Sequence, residues 1–352
     1  MSGFFKRERN ITKGINFMRI KEKVEPAKTR QELKVEKQAI KEHKKEIERL
    51  IKMLIPVNKN TNTSLKLVSF DPSGALRKEN NQWSKVYRIV GLTKDNKAEF
   101  IQMLTNSISL RCRVTTRFVD GNRTDFLSLF YEAEVYETVK NAFESEENII
   151  NSLISSVKIE PLEINDYMKE IQSFYMNKEP GFNYASSVRG KADWKKLVFQ
   201  DAKEFDGYFE FEDNKGLIFS AIQYPSAIKE NILSDLLEFE CPITFSLDIQ
   251  PLSVEQMSDF NRTLERRFNK KVEADMRKFV NLGFSIVLLT DSISAKDIVK
   301  TTLTKALSNV DVIVAPTYGE NIKKLESIYS LGLTDYRSMR NINTDEIKNL
   351  FI

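Results

Sequence analysis

The stretch from residue 216 to residue 252 constrains the fold most, because it has the pattern of a strand, a helix and a second strand. A short apolar run bounded by Gly216 and Pro225 has the length of a buried strand. Ser226 then caps a helix whose apolar side consists of Ile228, Ile232, Leu233, Leu236 and Leu237. After Pro242, apolar and polar residues alternate as in a half-buried strand, with Ile243, Phe245, Leu247 and Ile249 on one side. This β-α-β unit carries no chemistry and is predicted to be scaffold.

A second β-α-β pattern occupies residues 284–315, with a helix cap at Ser294. A long helix, predicted from a capping box at Ser253 and Gln256 to about Asn281, joins the two units. Two such units in succession predict an α+β fold of ferredoxin-like (split β-α-β) units with helices on one face of the sheet. Residues 86–131 have the pattern of a related, smaller arrangement.

The length of 352 residues allows two or three domains. Three are predicted: a basic N-terminal arm at 1–60, a first α/β subdomain with a helical insertion at 65–200, and a second α+β subdomain at 201–352. Hydrophobic residues make up 41% and charged residues 30%, as in a soluble globular protein. The sequence contains no run of eighteen apolar residues, so no transmembrane helix is predicted. The basic start lacks the apolar region of a secretory signal.

The charge is unevenly distributed along the chain. Residues 1–60 contain 17 Lys and Arg against 8 Asp and Glu, a net charge of +9. The other 37 basic and 42 acidic residues leave the remainder at −5. A basic arm favours an anionic partner such as lipid headgroups, nucleic acid or an acidic protein, although a solvated tail has the same composition. Residues 1–28 are either disordered alone or lie on a membrane or partner, and the candidate contacts are Phe4, Phe5, Lys6, Arg7, Arg9, Lys13, Phe17, Arg19 and Lys21.

A helix is predicted at 29–55, where Thr29 and Glu32 form a capping box and Pro56 ends the pattern. Its narrow apolar stripe favours docking along one edge, on the body or on another subunit. His43, the only histidine, lies among lysines, so no metal site is predicted. The two cysteines, Cys112 and Cys241, are interpreted as buried reduced thiols.

The long helix after residue 253 has a basic side. Arginines and lysines there form a candidate face for an anionic partner, and the alternatives are simple solvation or contact with nucleic-acid phosphates. The candidate residues are Arg262, Arg266, Arg267, Lys270 and Lys271.

Enzyme motifs are not recognised in the sequence. The Gly190-Lys191 pair fails the P-loop pattern, because Ala185 and Ala192 stand where glycine and a hydroxyl residue are required. A carboxylate cluster suggests a dispersed enzyme site, but acids on a hairpin also occur on solvated strand edges; these acids are Asp206, Glu210, Glu212 and Asp213. We therefore predict no catalytic, cofactor or metal residues.

The element order and three short segments resemble a known family. The segments are I-Q-P-L (Ile249–Leu252), S-I-Y-S-L-G-L (Ser327–Leu333) and R-S-M-R-N-I-N-T-D-E-I-K-N-L-F (Arg337–Phe351). Over residues 65–352 the chain resembles the N-terminal, non-motor region of the large ATPase of type IV secretion and conjugation systems (the CagE/TrbE/TraC-like group). Leu331 departs from the family pattern, because proline usually precedes the glycine there.

The resemblance implies an assembly and docking domain that binds integral-membrane components of a secretion channel and sibling subunits. It implies a cytoplasmic location, peripheral to the inner face of the cell membrane. The Asn-, Lys- and Ile-rich composition fits a Gram-positive conjugative element. ATP and Mg²⁺ would belong to a motor following Ile352, and this chain is not expected to hydrolyse ATP. The alternative function is a nucleic-acid-binding protein of a mobile genetic element.

Overall fold

The computed structural model describes residues 67–70, 74–78, 81–134, 136–176, 202–211, 214–225, 228, 236, 241–269, 279–309, 311–329 and 339–350. The strands are β1 Leu67–Phe70, β2 Leu76–Lys78, β3 Gln82–Val90, β4 Arg111–Val119, β5 Asn122–Glu132, β6 Lys158–Pro161, β7 Lys203–Phe205, β8 Tyr208–Phe211, β9 Asn214–Gln223, β10 Ile243–Pro251, β11 Phe279–Thr290, β12 Ile313–Pro316 and β13 Arg340–Asn343. The helices are α1 Lys97–Ser107, α2 Tyr136–Leu153, α3 Ile164–Met176, α4 Val254–Phe268, α5 Ile293–Ser308, α6 Asn321–Ile328 and α7 Thr344–Ile347.

The described strands form one sheet of 13 strands in the order β1-β2-β3-β5-β4-β10-β11-β9-β8-β7. Strand β6 pairs with β3, β12 with β9 and β13 with β11, and every pairing is antiparallel. The fold class is α+β, but the predicted ferredoxin-like units are wrong as a description of the fold. Strand β4 pairs with β10 from Cys112 opposite Ile249 to Phe118 opposite Ile243, so both parts of the chain contribute to one continuous sheet.

Helices cover both faces of the sheet, which also corrects the predicted placement on one face. Residues of α1, α2, α5 and α7 belong to the core cluster on the first face, together with the strand residues Tyr87, Leu127 and Leu247. Residues of α3 and α6 belong to the cluster on the second face, which includes the neighbouring strand residues Val86 and Phe126. Successive strand residues point to opposite faces, so strands buried on both sides supply both clusters.

The predicted helix from Ser253 to about Asn281 is too long. Helix α4 ends at Phe268, and β11 begins at Phe279, so the last predicted helical turn is strand. Strand β11 pairs with β10 on one side and with β13 and β9 on the other. Gly283, just after the predicted end of the helix, lies within β11 opposite Asp248. Pairing on both sides therefore makes residues 279–281 a strand where the sequence predicted a helix.

Both predicted strands of the 216–252 stretch are confirmed as β9 and β10. The intervening helix predicted from Ser226 lies mostly outside the described residues, as do the arm at 1–60 and its helix at 29–55. The chain divides into two compact units, Met1–Pro56 and Val57–Ile352. Among the described residues, no helix combines the length and apolar character needed to cross a membrane.

Candidate docking surface

Helix α4 begins with the capping box that the sequence predicts. The amide of Gln256 donates to Ser253 Oγ at 3.1 Å, and the amide of Ser253 donates to Gln256 Oε1 at 2.9 Å. The helix ends at Asn269, whose φ of 51° places it in the left-handed region often used at helix C-termini. These local signals define both ends of α4.

Most of the surface of α4 remains open to solvent. Met257 is buried, whereas Phe260 and Leu264 are half-buried and Val254 is 76% exposed. The Phe260 ring packs against Phe279 of β11 with a centroid distance of 5.0 Å. The described residues therefore cover only part of the apolar side of α4.

Three of the predicted basic residues lie on this exposed helix. Arg262, Arg266 and Arg267 are all exposed, and the last two lie in the final turn. Cations there interact favourably with the negative end of the helix dipole. Arg262 pairs with Asp259 at 3.3 Å, but both side chains are more than 60% exposed, so the pair is weak.

The other predicted contact residues lie outside the described residues. They are Phe4, Phe5, Lys6, Arg7, Arg9, Lys13, Phe17, Arg19 and Lys21 of the arm, and Lys270 and Lys271 beyond α4. The structure therefore brings together three of the five predicted basic residues after Ser253.

Of the predicted carboxylate cluster, the structure describes Asp206 and Glu210. Asp206 is exposed, and Glu210 pairs with Lys215 of the adjacent strand at 3.0 Å. Glu212 and Asp213 lie outside the described residues. Glu204, just before this set, accepts the Ile322 amide at 2.7 Å and so caps α6. No grouping of three or more potential metal ligands occurs within the described ranges.

A buried charged network on β4 and β10 was missed by the sequence reasoning. Arg111 Nε donates to Asp248 at 2.8 Å, and the guanidinium of Arg113 donates to the same carboxylate. All three residues are buried. Burial lowers the pKa of Arg113, and the Asp248 carboxylate opposes this change. The available signal was the pair of arginines at alternate positions 111 and 113, on either side of Cys112.

The same region of the sheet fixes the C-terminal end of α6. Arg113 also donates to the Ser327 carbonyl, and Tyr167 of α3 donates its hydroxyl to the Tyr329 carbonyl at 2.5 Å. Thr115 Oγ1 lies 3.4 Å from the Ile328 carbonyl. Donors from the sheet and α3 thereby satisfy carbonyls that the end of a helix leaves without partners. The network therefore links the sheet to the C-terminal end of α6.

Both cysteines lie in environments that raise the pKa of the thiol, and for Cys112 this outweighs the opposing effect of the Arg111 and Arg113 guanidinium groups. Burial is the main cause of the raised pKa of the Cys112 thiol. Cys241 is partly buried, and burial raises its pKa to about 11. Both environments favour the neutral thiol, which is a poor nucleophile.

No protein-family model matches this sequence, and a search of curated proteins finds no match. Among solved structures, an aclacinomycin oxidoreductase is similar over 66% of this chain and 42% of its own, at 10% identity and a TM-score of 0.30. The berberine bridge enzyme from Eschscholzia californica is similar over 67% and 40%, at 11% identity and a TM-score of 0.27. The chain spans about two fifths of the length of these proteins. Similarity at this level carries no argument about activity or cofactor.

Proposed function

We propose that this chain is the N-terminal assembly and docking domain of a conjugation (type IV secretion) ATPase, located on the cytoplasmic face of the cell membrane. It binds integral-membrane channel components and sibling subunits, and it holds no catalytic site of its own. The resemblance of residues 65–352 to that ATPase family motivates the proposal. The observation that carries it is the exposed helix α4.

Helix α4 combines the two properties of a docking helix. Its apolar side is only partly covered, with Val254 76% exposed. Arg262, Arg266 and Arg267 are exposed on the same helix and offer planar, multiply donating groups to carboxylates or phosphates. The basic arm, with a net charge of +9 over residues 1–60, adds a second region attracted to anionic surfaces.

The test uses the full chain and measures flotation with vesicles of phosphatidylglycerol and phosphatidylcholine in equal parts. Deleting residues 1–60 should abolish the association while the circular dichroism of the body is retained. A triple Arg262→Gln, Arg266→Gln, Arg267→Gln variant should bind a channel membrane component, reconstituted in neutral phosphatidylcholine vesicles, about tenfold more weakly or worse.

The matched control is a Lys94→Gln, Lys158→Gln, Lys305→Gln variant, which removes the same charge from exposed positions elsewhere. Equal losses in the two triple variants would show a nonspecific charge effect and contradict the role of α4. Unchanged vesicle and partner binding after deletion of 1–60 would refute the role of the arm.

The alternative, nucleic-acid binding by a mobile-element protein, draws on the same three arginines. It predicts retardation of short single- or double-stranded DNA at low salt, with affinity falling steeply as salt rises. Failure of the full chain to retard either DNA at low salt would dismiss this alternative. The net charge of −5 on the chain after residue 60 counts against it.

A further inference from the structure

A polar cleft of about 530 Å³ lies where strand β3 ends beside the start of β5. The register between β3 and β5 stops at Ile89 opposite Asp125, whereas β5 extends further, to Asn122. Arg123 and Thr124 therefore border the cleft at an edge of β5 that the β3 ladder leaves open. Arg88 and Glu170 also line this space.

Two carboxylates hold three guanidinium groups in and beside the cleft. Glu170 accepts from Arg88 Nη2 at 2.7 Å and from Arg117 Nη2 at 2.5 Å, and its own carbonyl accepts a second bond from Arg117. Asp125 accepts from Arg123 Nε at 2.8 Å. With all five groups ionised, this cluster has a net charge of +1.

Arg88 supplies the observation that points to a ligand. Its side chain lines the cleft and is 41% exposed, and Glu170 is the one acceptor that its guanidinium has within the described part of the chain. A guanidinium has five N–H donors in a fixed plane, so a single carboxylate leaves donors of Arg88 without an acceptor. The donors at the exposed end of the side chain can donate to oxygen atoms of a ligand in the cleft.

We propose that this cleft binds the phosphate group of a small phosphorylated ligand. A phosphate presents several acceptor oxygens in the geometry that arginine pairs bind with two bonds each, and its negative charge complements the net positive cluster. The carboxylates of Glu170 and Asp125 hold Arg88 and Arg123 in place, so less side-chain entropy is lost on binding. The cleft has room for the rest of a phosphoester. This site is separate from α4 and does not depend on the proposed docking function.

The test follows the Nε–H signals of the arginines by NMR in the full chain during titration with inorganic phosphate, at an ionic strength held constant with chloride. The Arg88 and Arg123 signals should shift and saturate. Arg88→Gln and Arg123→Gln should each weaken the binding about tenfold or more. Lys305→Gln, at an exposed position of helix α5, is the control and should bind phosphate as the wild type does.

Arg88→Lys is a second variant, because a lysine can still form an ion pair with Glu170. It tests phosphate binding even if Arg88→Gln fails to fold. It should retain the circular dichroism of the wild type and still bind phosphate more weakly, because lysine lacks the planar fork. An Arg88 signal that does not move would overturn the proposal. So would unsaturable shifts of equal size at Arg88 and Arg262.

Two further experiments identify the source of the phosphate group, a soluble phosphoester or a lipid headgroup. If the ligand is a soluble phosphoester, glycerol phosphate binds like inorganic phosphate, and vesicle flotation is the same for wild type and Arg88→Gln. If it is a lipid headgroup, Arg88→Gln lowers flotation with phosphatidylglycerol vesicles and inorganic phosphate competes with that flotation. Either result presupposes the saturable Arg88 shift, so failure of the cleft is distinguishable from failure of the α4 surface.

Discussion

Asp248 is the residue on which the buried charge network depends most. It accepts from both Arg111 and Arg113, and all three side chains are less than 10% exposed. Replacing it by asparagine leaves two buried guanidinium groups without their shared carboxylate. We expect Asp248→Asn to lower the free energy of unfolding by about 3–5 kcal/mol, measured by urea denaturation.

Asp259→Asn is the control, because Asp259 pairs with Arg262 where both side chains are well exposed. That change should cost less than about 1 kcal/mol. A loss of similar size in the two variants would show that the buried network contributes no more to stability than a surface ion pair.

Asp125 should make stability depend on pH. Burial raises its pKa above the ordinary value of 3.8, and the opposing effects of Arg123 and the Thr116 hydrogen bond do not cancel this. The folded protein therefore binds the Asp125 proton more tightly than the unfolded chain does. The resulting stabilisation is fully present below the unfolded-state pKa and is lost as pH rises through the folded-state pKa.

Asparagine at this position cannot titrate, so the stability of the wild type relative to Asp125→Asn should fall as pH rises. Urea unfolding of both proteins from about pH 4 to about pH 7 measures this difference, in which the titration of the other groups largely cancels. A difference that stays constant or increases with pH would contradict the expected direction.

Single-residue roles were the least predictable from sequence. Arginines at 111 and 113 can lie on a solvated strand edge or in a buried network, and the choice depends on the carboxylate of Asp248, more than 130 residues away. The cleft at Arg88 and Arg123 likewise depends on how far β5 extends beyond its pairing with β3. Only the arginines of α4 followed from a local pattern.

At the level of elements, the start of α4 rests on local hydrogen bonds that the sequence did predict. Ser253→Ala removes the hydroxyl that accepts a hydrogen bond from the Gln256 amide. Ser253 is exposed, so the change does not disturb the core. We expect a loss of about 1 kcal/mol in the free energy of unfolding, measured by urea denaturation. Ser258→Ala, in the exposed middle of the same helix, should be neutral or slightly stabilising because alanine has the higher helix propensity.

Equal losses at Ser253 and Ser258 would show that the capping box does not hold this helix. Local signals of this kind predicted strands β9 and β10 and the start of α4. They failed at residue 279, where the pairing of β11 with strands on both sides decides the structure. A pattern of apolar residues cannot report such distant partners.

At the level of the whole molecule, the pairing of β4 with β10 was not predictable, because neither strand carries a signal for its neighbour. This pairing joins residues 65–200 and 201–352 through one ladder from Cys112 to Phe118. The predicted division into two subdomains at residue 200 stays a prediction. The continuous ladder leads us instead to expect that the two parts unfold together.

Trp83 on β3 offers a test of that cooperativity, since its fluorescence reports on the first part of the chain once Trp194 is replaced by phenylalanine. Ile218→Ala truncates a fully buried side chain on β9, in the second part, and should cost about 2–5 kcal/mol. If unfolding is cooperative, the urea midpoint reported by Trp83 falls as far as the midpoint reported by circular dichroism.

Leu127→Ala, a buried change on β5, is the control that must move the Trp83 transition in any case. A Trp83 midpoint that Leu127→Ala lowers and Ile218→Ala leaves in place would show two independent domains, despite the shared sheet.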